Sequence, residues 1–241
     1  ASVLTRARRD DGKWLLNGHK LWTSNALHSR YMIALVRTED QGPNRHAGLS
    51  QFIIDLKLDG ITINPIVDMS GRSHFNEVFF DNVVMEESAL IGEEGAGWSQ
   101  VMAELAYERS GPERYLSSMA LAYALIDAVG PEPDALQQKE VGHLVARLFT
   151  IRNMSISVTN QLASGKDPVW AASCVKDLGT SLEQELPRIA QTVVDSIPSI
   201  GGGTEYSQIL AKITQAAPSF SLRGGTREIL RGIIARGLGV A

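Results

Sequence analysis

Leu90-Ile91-Gly92-Glu93-Glu94-Gly95-Ala96-Gly97-Trp98 separates two kinds of sequence. Before it, short apolar runs alternate with turn residues, the pattern of strands. After it, Trp98, Met102, Leu105 and Ala106 recur at helical spacing, and the strand signals stop. The chain therefore reads as α+β. An N-terminal antiparallel β sandwich or barrel domain is expected over residues 1–92, and an up-and-down four-helix bundle over 93–241.

Working back from the junction, strands are expected at Val78–Asp81, Ile61–Pro65, Ser50–Asp55, Tyr31–Val36 and Val3–Arg8. Leu58-Asp59-Gly60, Met69-Ser70-Gly71 and Gln41-Gly42-Pro43-Asn44 separate them, and Asp10-Asp11-Gly12 turns the first. Asn17-Gly18 predicts a type I′ hairpin between Trp14–Leu16 and His19–Trp22, because both central positions of that turn need positive φ. Working forward, one helix is expected from Trp98 to Val129, with a kink or tight packing at Gly111-Pro112. Gly130-Pro131-Glu132-Pro133 ends it. Further helices are expected at Val141–Leu162, at Val169–Ile197 with a kink or break at Pro187, and at Thr226–Leu238. Ile197–Gly203 reads as a loop.

Composition narrows the function classes. With 241 residues, 44% of them hydrophobic, the chain can bury one large core or two smaller ones. A net charge of −4 gives no footprint for nucleic acid or an anionic membrane. The five His and single Cys174 lack metal-ligand spacing, so no metal is expected. A lone cysteine cannot form an internal disulfide, which fits a reducing compartment. No apolar run approaches the ~20 residues that span a bilayer, and no secretory signal opens the chain. A cytoplasmic location is expected. The chain starts without Met, as a processed or partial chain does.

Three places can carry chemistry. Trp22-Thr23-Ser24-Asn25 sets an indole beside two hydroxyls at a strand end. It reads either as a seat for a flat aromatic ligand or as a core Trp before a polar turn. Glu108-Arg109 lies within a helix, where a carboxylate is either a solvated charge or a working acid–base group. Glu113 is the next carboxylate along. Leu222-Arg223-Gly224-Gly225-Thr226-Arg227-Glu228-Ile229-Leu230-Arg231 puts flexible backbone and a hydroxyl before an amphipathic helix. That junction is either plain capping or a seat for polar and anionic ligand groups.

These segments, taken in order, resemble the acyl-CoA dehydrogenase family of flavoproteins. Gly18-His19-Lys20-Leu21-Trp22-Thr23-Ser24-Asn25 is similar to its β-domain motif. Glu77–Met85 and Leu90–Trp98 resemble its crossing into the helical bundle, and Leu222–Arg231 its C-terminal signature. The resemblance implies FAD as cofactor, with Trp22 and Ser24 bordering the isoalloxazine ring and backbone near Thr23 facing it. It assigns Gly225, Thr226 and Glu228 to the same cofactor. Many members carry the catalytic base directly before the Gly-Thr of the last motif, where this chain has Gly224. A smaller group, isovaleryl-CoA dehydrogenase among them, carries it on the long helix directly before an Arg, and Glu108-Arg109 matches that arrangement.

The resemblance further implies an oxidoreductase acting on CH–CH groups in fatty or branched acyl-CoA catabolism. Glu108 would take the α-proton of an acyl-CoA while hydride passes to flavin N5, with electron-transfer flavoprotein as electron acceptor. Arg109 would contact the CoA portion or form an intrahelical ion pair. Two features depart from the family pattern. Nothing matches its N-terminal helical domain, which is expected to be absent from this chain. Leu136-Gln137-Gln138-Lys139-Glu140-Val141-Gly142-His143 stands where many members have Arg-x-x-Phe-Gly. These leave open a non-catalytic partner subunit in a hetero-oligomer, beside a homo- or heterotetrameric enzyme. An acyl-CoA oxidase or nitroalkane-oxidase-like flavoprotein is a third reading.

Overall fold

The computed structural model describes residues 2–40 and 42–240; Gln41, in one of the expected turns, lies outside them. The chain is α+β, and its contacts divide it into two compact units, the first running to Ala103 and the second starting at Glu104. The sequence reading placed the division after residue 92. The added residues are held to the sheet by their own contacts. The His46 ring stacks on Trp98 at 4.1 Å, Gln100 Nε2 donates to Ile91 O at 2.9 Å, and a Cβ at Gly97 would lie 2.7 Å from Ser50 Cα.

In the first unit, β1 (Arg6–Asp10), β2 (Lys13–Ser24), β3 (Tyr31–Arg37), β4 (Leu49–Asp55), β5 (Ile61–Ile66), β6 (Phe75–Met85) and β7 (Leu90–Ile91) form one sheet. Their spatial order is β5-β6-β2-β1-β3-β4-β7. All neighbours pair antiparallel except β1 and β3, which meet in parallel at Arg6 and Arg37. Alternation puts Trp14, Leu16, Ala34, Val36, Phe52, Ile54, Val78, Phe80 and Val83 into one core, with the Trp14 and Phe52 rings edge-on at 5.1 Å.

Asp11 (φ 48) and Gly12 (φ 76) make the two-residue turn between β1 and β2. The hairpin expected at Asn17-Gly18 is not formed; β2 runs straight through it. Asn17 is instead tied to the neighbouring strand, its Oδ1 accepting from Asn82 N at 2.9 Å. At Gly18 (φ +127) a Cβ would meet Thr5 Cα at 2.7 Å, so the glycine permits a close approach rather than a turn. The β2–β6 register slips there and again between Lys20 and Thr23. Each slip centres on a left-handed residue, Asn82 (φ 49) in β6 and Trp22 (φ 60) in β2.

The helices are α1 (Gly97–Ser110), which crosses the division, then α2 (Met119–Val129), α3 (Ala135–Ala163), α4 (Val169–Val193), α5 (Glu205–Ala216) and α6 (Arg227–Gly237). The single helix expected over 98–129 breaks at Gly111-Pro112. Pro112 has no N–H to continue the ladder and holds Gly111 extended (φ −61, ψ 153); a 3-10 turn, Pro112–Arg114, follows. α3 starts six residues before Val141 because Asp134 and Gln137 form a reciprocal capping box, with bonds of 2.9 and 3.0 Å. α4 keeps Pro187 inside it. α5, capped by Thr204, occupies sequence assigned to no element. Helices α2 to α5 share a core of Leu121, Leu125, Leu144, Ile151, Leu182, Leu186 and Leu210, and α6 packs on α4. Gly237 lets that packing close: a Cβ there would sit 2.4 Å from Trp170 Cβ. Among the described residues no helix is long and apolar enough to cross a membrane.

Candidate active site

The β unit sets Trp22 at the end of β2. The bulge turns its backbone left-handed, an uncommon state for a bulky residue and one that marks constrained, often functional, positions. The residue is 59% exposed, and its ring meets Phe75 edge-on at 5.8 Å. The buried tryptophan of this unit is Trp14, at 1%. Thr23 and Ser24 follow, opposite Asn76 and Phe75 of β6. Behind them the frame is rigid. Asn76 is fully buried and accepts from Leu27 N at 3.1 Å, while Asn25 N donates to His74 O at 2.7 Å. An exposed indole on a constrained backbone, beside two hydroxyls, suits a flat aromatic ligand with a polar edge.

In the helical unit, Glu108, Arg109 and Gly224 come together although more than a hundred residues separate the loop from the helix. A Cβ built on Gly224 would lie 3.5 Å from Glu108 Oε1, 3.6 Å from Lys176 Cε and 3.8 Å from Arg114 Cζ. Arg109 is turned inward and is only 4% exposed. Its Nε donates to Gly224 O at 2.9 Å, and burial pushes its pKa below the usual guanidinium range, with Glu108 acting against the shift. Through that bond it supports the backbone of the 224–225 loop.

Gly225 (φ 107) precedes Thr226, which occupies the N-cap position of α6 without a side-chain bond to the helix amides. Glu228 is the second residue of the helix, within its first turn. Hydrogen bonds from its own backbone N–H and from Thr226 hold its carboxyl below the usual range. The helix start is therefore closed by Glu228 and Thr226 together.

Four further residues build this region and were not singled out from sequence. Arg114 donates to both the carboxylate and the backbone carbonyl of Glu108. Lys176 is fully buried, donating to Thr180 Oγ1 and, at 2.7 Å, to Phe220 O. Burial, with Arg223 and Arg114 adding, pushes its ammonium down to about 8. Glu183 is also fully buried. Burial pushes its pKa up, against Arg223 at 3.2 Å and Ser117 N at 2.6 Å. Arg223 also donates to Ser117 Oγ at 2.7 Å, and burial lowers its pKa. Lys176 and Glu183 stand seven residues apart on the buried face of α4, which is the signal that could have found them.

The family model for the acyl-CoA dehydrogenase middle domain matches residues 1–83. The acyl-CoA dehydrogenase FadE34 of Mycobacterium tuberculosis is 31% identical over 239 residues, covering 99% of this chain and 33% of the relative. The acyl-CoA dehydrogenase IpdE1 of the same organism is 34% identical over 250 residues, covering 98% and 61%. Residues 1–83 belong to the acyl-CoA dehydrogenase middle-domain family, and these relatives support the same family for the rest of the chain. It spans a third of the first relative's length and less than two thirds of the second's. Among solved structures, the ChsE4–ChsE5 complex from Mycobacterium tuberculosis shares the fold, with a TM-score of 0.82 and 24% identity over 100% of this chain and 65% of that one.

Proposed function

We propose that this chain forms the β and helical parts of an FAD-dependent enzyme that desaturates an acyl-CoA thioester, with Glu108 taking the α-proton. The observation that carries the proposal is the meeting of Glu108 Oε1 with the position where a Gly224 side chain would begin, 3.5 Å away. The resemblance assigns the base to one or other of these two positions, and in this chain one of them holds a carboxylate and the other nothing.

A thioester carbonyl acidifies its α C–H, yet the proton stays a poor acid in water. A positioned carboxylate accepts it, and donors at the carbonyl oxygen stabilise the enolate that develops. Removal of the α-proton and the β-hydride leaves a trans-2-enoyl-CoA. When bound, FAD supplies the hydride acceptor. Trp22 offers its exposed ring to the flavin and Thr23 and Ser24 their polar groups; Gly225, Thr226 and Glu228 offer the α6 start to the cofactor's polar groups. Arg109 acts through the loop, fixing Gly224 by its carbonyl. An electron-transfer flavoprotein is the proposed acceptor of the electrons, and a homo- or hetero-oligomer the proposed assembly. ChsE4–ChsE5, a complex by its own description, supports keeping a homologous partner subunit as the second reading.

Anaerobic mixing of the FAD-loaded protein with short and branched acyl-CoA tests the first reading. The flavin should bleach, and Glu108→Gln should slow bleaching ~10²–10⁴-fold with FAD retained. Bleaching at the wild-type rate in Glu108→Gln would remove Glu108 from the mechanism. A protein that never takes up FAD would favour the partner-subunit reading.

A further inference from the structure

We propose that Arg114 is the positioning residue for the Glu108 carboxylate, a role that rests on Glu108 being the base. In an unbroken helix, residues six apart stand about 240° apart around the axis and ~9 Å apart along it, so their side chains cannot meet. Here they do. The break at Gly111-Pro112 and the 3-10 turn Pro112–Arg114 fold the chain back on the end of α1. Arg114 Nε then donates to Glu108 O at 2.9 Å, and Nη2 donates to Glu108 Oε1.

One guanidinium thus grips one residue at two points, its backbone carbonyl and its side-chain oxygen. The Arg114 side chain is 8% exposed and that of Glu108 42%, so the holder is fixed in the unit while the held group faces outward. Glu113 Oε1 lies 3.6 Å from Arg114 Nε and adds a looser ion pair on the same guanidinium. A glutamate has three side-chain rotors, and a half-exposed one left alone would sample many directions. Binding Oε1 removes that freedom and leaves Oε2, which has no bond among the described residues, as the oxygen that receives a proton. Arginine is needed rather than lysine, since a single ammonium cannot present two donors in a planar fork.

The test compares Arg114→Gln and Arg114→Lys with Glu108→Gln in the FAD-loaded protein. Two rates are read: flavin bleaching at saturating acyl-CoA, and washout of deuterium from an α-deuterated acyl-CoA, which needs a base but no hydride acceptor. Arg114→Gln should slow both by roughly 10–100-fold, the effect of about an ångström of misplacement, with KM for the acyl-CoA within about threefold of wild type. Arg114→Lys should recover part of the loss. If Glu108→Gln is inactive while both Arg114 variants run at wild-type rate, the positioning role is wrong and the base assignment stands. If Glu108→Gln itself keeps the wild-type rate, the base assignment is wrong. Loss of FAD and of acyl-CoA affinity in both Arg114 variants would make Arg114 a structural residue only, and would overturn the proposal.

Discussion

Moving the carboxylate from Glu108 to residue 224 is the most direct test of the site's geometry. Gly224 has φ +67, a left-handed conformation that costs an L-residue about 1–2 kcal/mol. Sterics add little, because the new Cβ would meet its neighbours at 3.5 to 3.8 Å, ordinary contact distances. In a Glu108→Gln background the nearest group is neutral, so the new carboxylate meets Lys176 and Arg114 without the Glu108 anion competing for them. The double variant Glu108→Gln/Gly224→Glu should therefore fold, with a melting point lowered by about 2–8 °C, given ~2–4 °C per kcal/mol for a chain of this size. It should recover at least about tenfold of the ~10²–10⁴-fold rate lost in Glu108→Gln. The assay is α-deuterium washout from acyl-CoA alongside thermal melting of the FAD-loaded protein. A double variant that melts within that range, holds FAD and exchanges no faster than Glu108→Gln would refute the idea that both positions serve one substrate carbon.

Two further outcomes concern the frame around the sites. Gly18→Ala sets a Cβ 2.7 Å from Thr5 Cα at φ +127, and should destabilise the β unit by roughly 2–5 kcal/mol, read as an earlier denaturant midpoint. An unchanged midpoint would mean that β2 does not pass so close to Thr5. Lys176 has a folded pKa of about 8 against the ordinary 10.5, so the unfolded chain binds more protons between those values, and stability must rise with pH across that window. The wild-type stability, measured relative to Lys176→Met, should climb by up to about 3 kcal/mol from pH 8 to pH 10.5 and stay flat below pH 8, with a flat difference throughout contradicting the burial of a charged ammonium.

The β unit was legible where pattern and turn agreed. Tyr31–Arg37, Leu49–Asp55 and Ile61–Ile66 form within a residue or so of the expected bounds, because alternation and flanking turn residues are local properties. Asn17-Gly18 misled because two turn-competent dipeptides lie six residues apart, and the choice between them was made by partners elsewhere: Asn82 across the sheet and Thr5 behind Gly18. In the helical unit, Pro112 announced an interruption, but whether a proline kinks or ends a helix depends on what the residues after it can reach. Arg114 reaching back to Glu108 is part of that answer. α5 escaped notice because its buried apolar positions, Leu210, Ala211 and Ile213, are few and come after a glycine-rich loop. Glu108 stands out as a candidate base only through the family resemblance. No local rule would pair it with Gly224, and the bonds from Arg223 to Ser117 and Glu183 are likewise long-range.

The pairing of Glu108 with Gly224 has its own logic. A carboxylate at each position would set two anions a few ångströms apart, and like charges at that distance cannot both ionise freely; one would hold a proton and be lost as a base. A chain with its base on α1 is therefore better served by an uncharged residue at 224, and the left-handed backbone there makes glycine the cheapest choice. The support beneath is indifferent to that choice. Arg109 holds residue 224 by its backbone carbonyl, a group that every side chain leaves in place, and Lys176 holds Phe220 in the same way. The loop can keep one shape whichever position carries the carboxylate. On the proposed mechanism, what commits this chain to Glu108 is Arg114, a cation whose bonds go to both the carboxylate and the backbone of that residue.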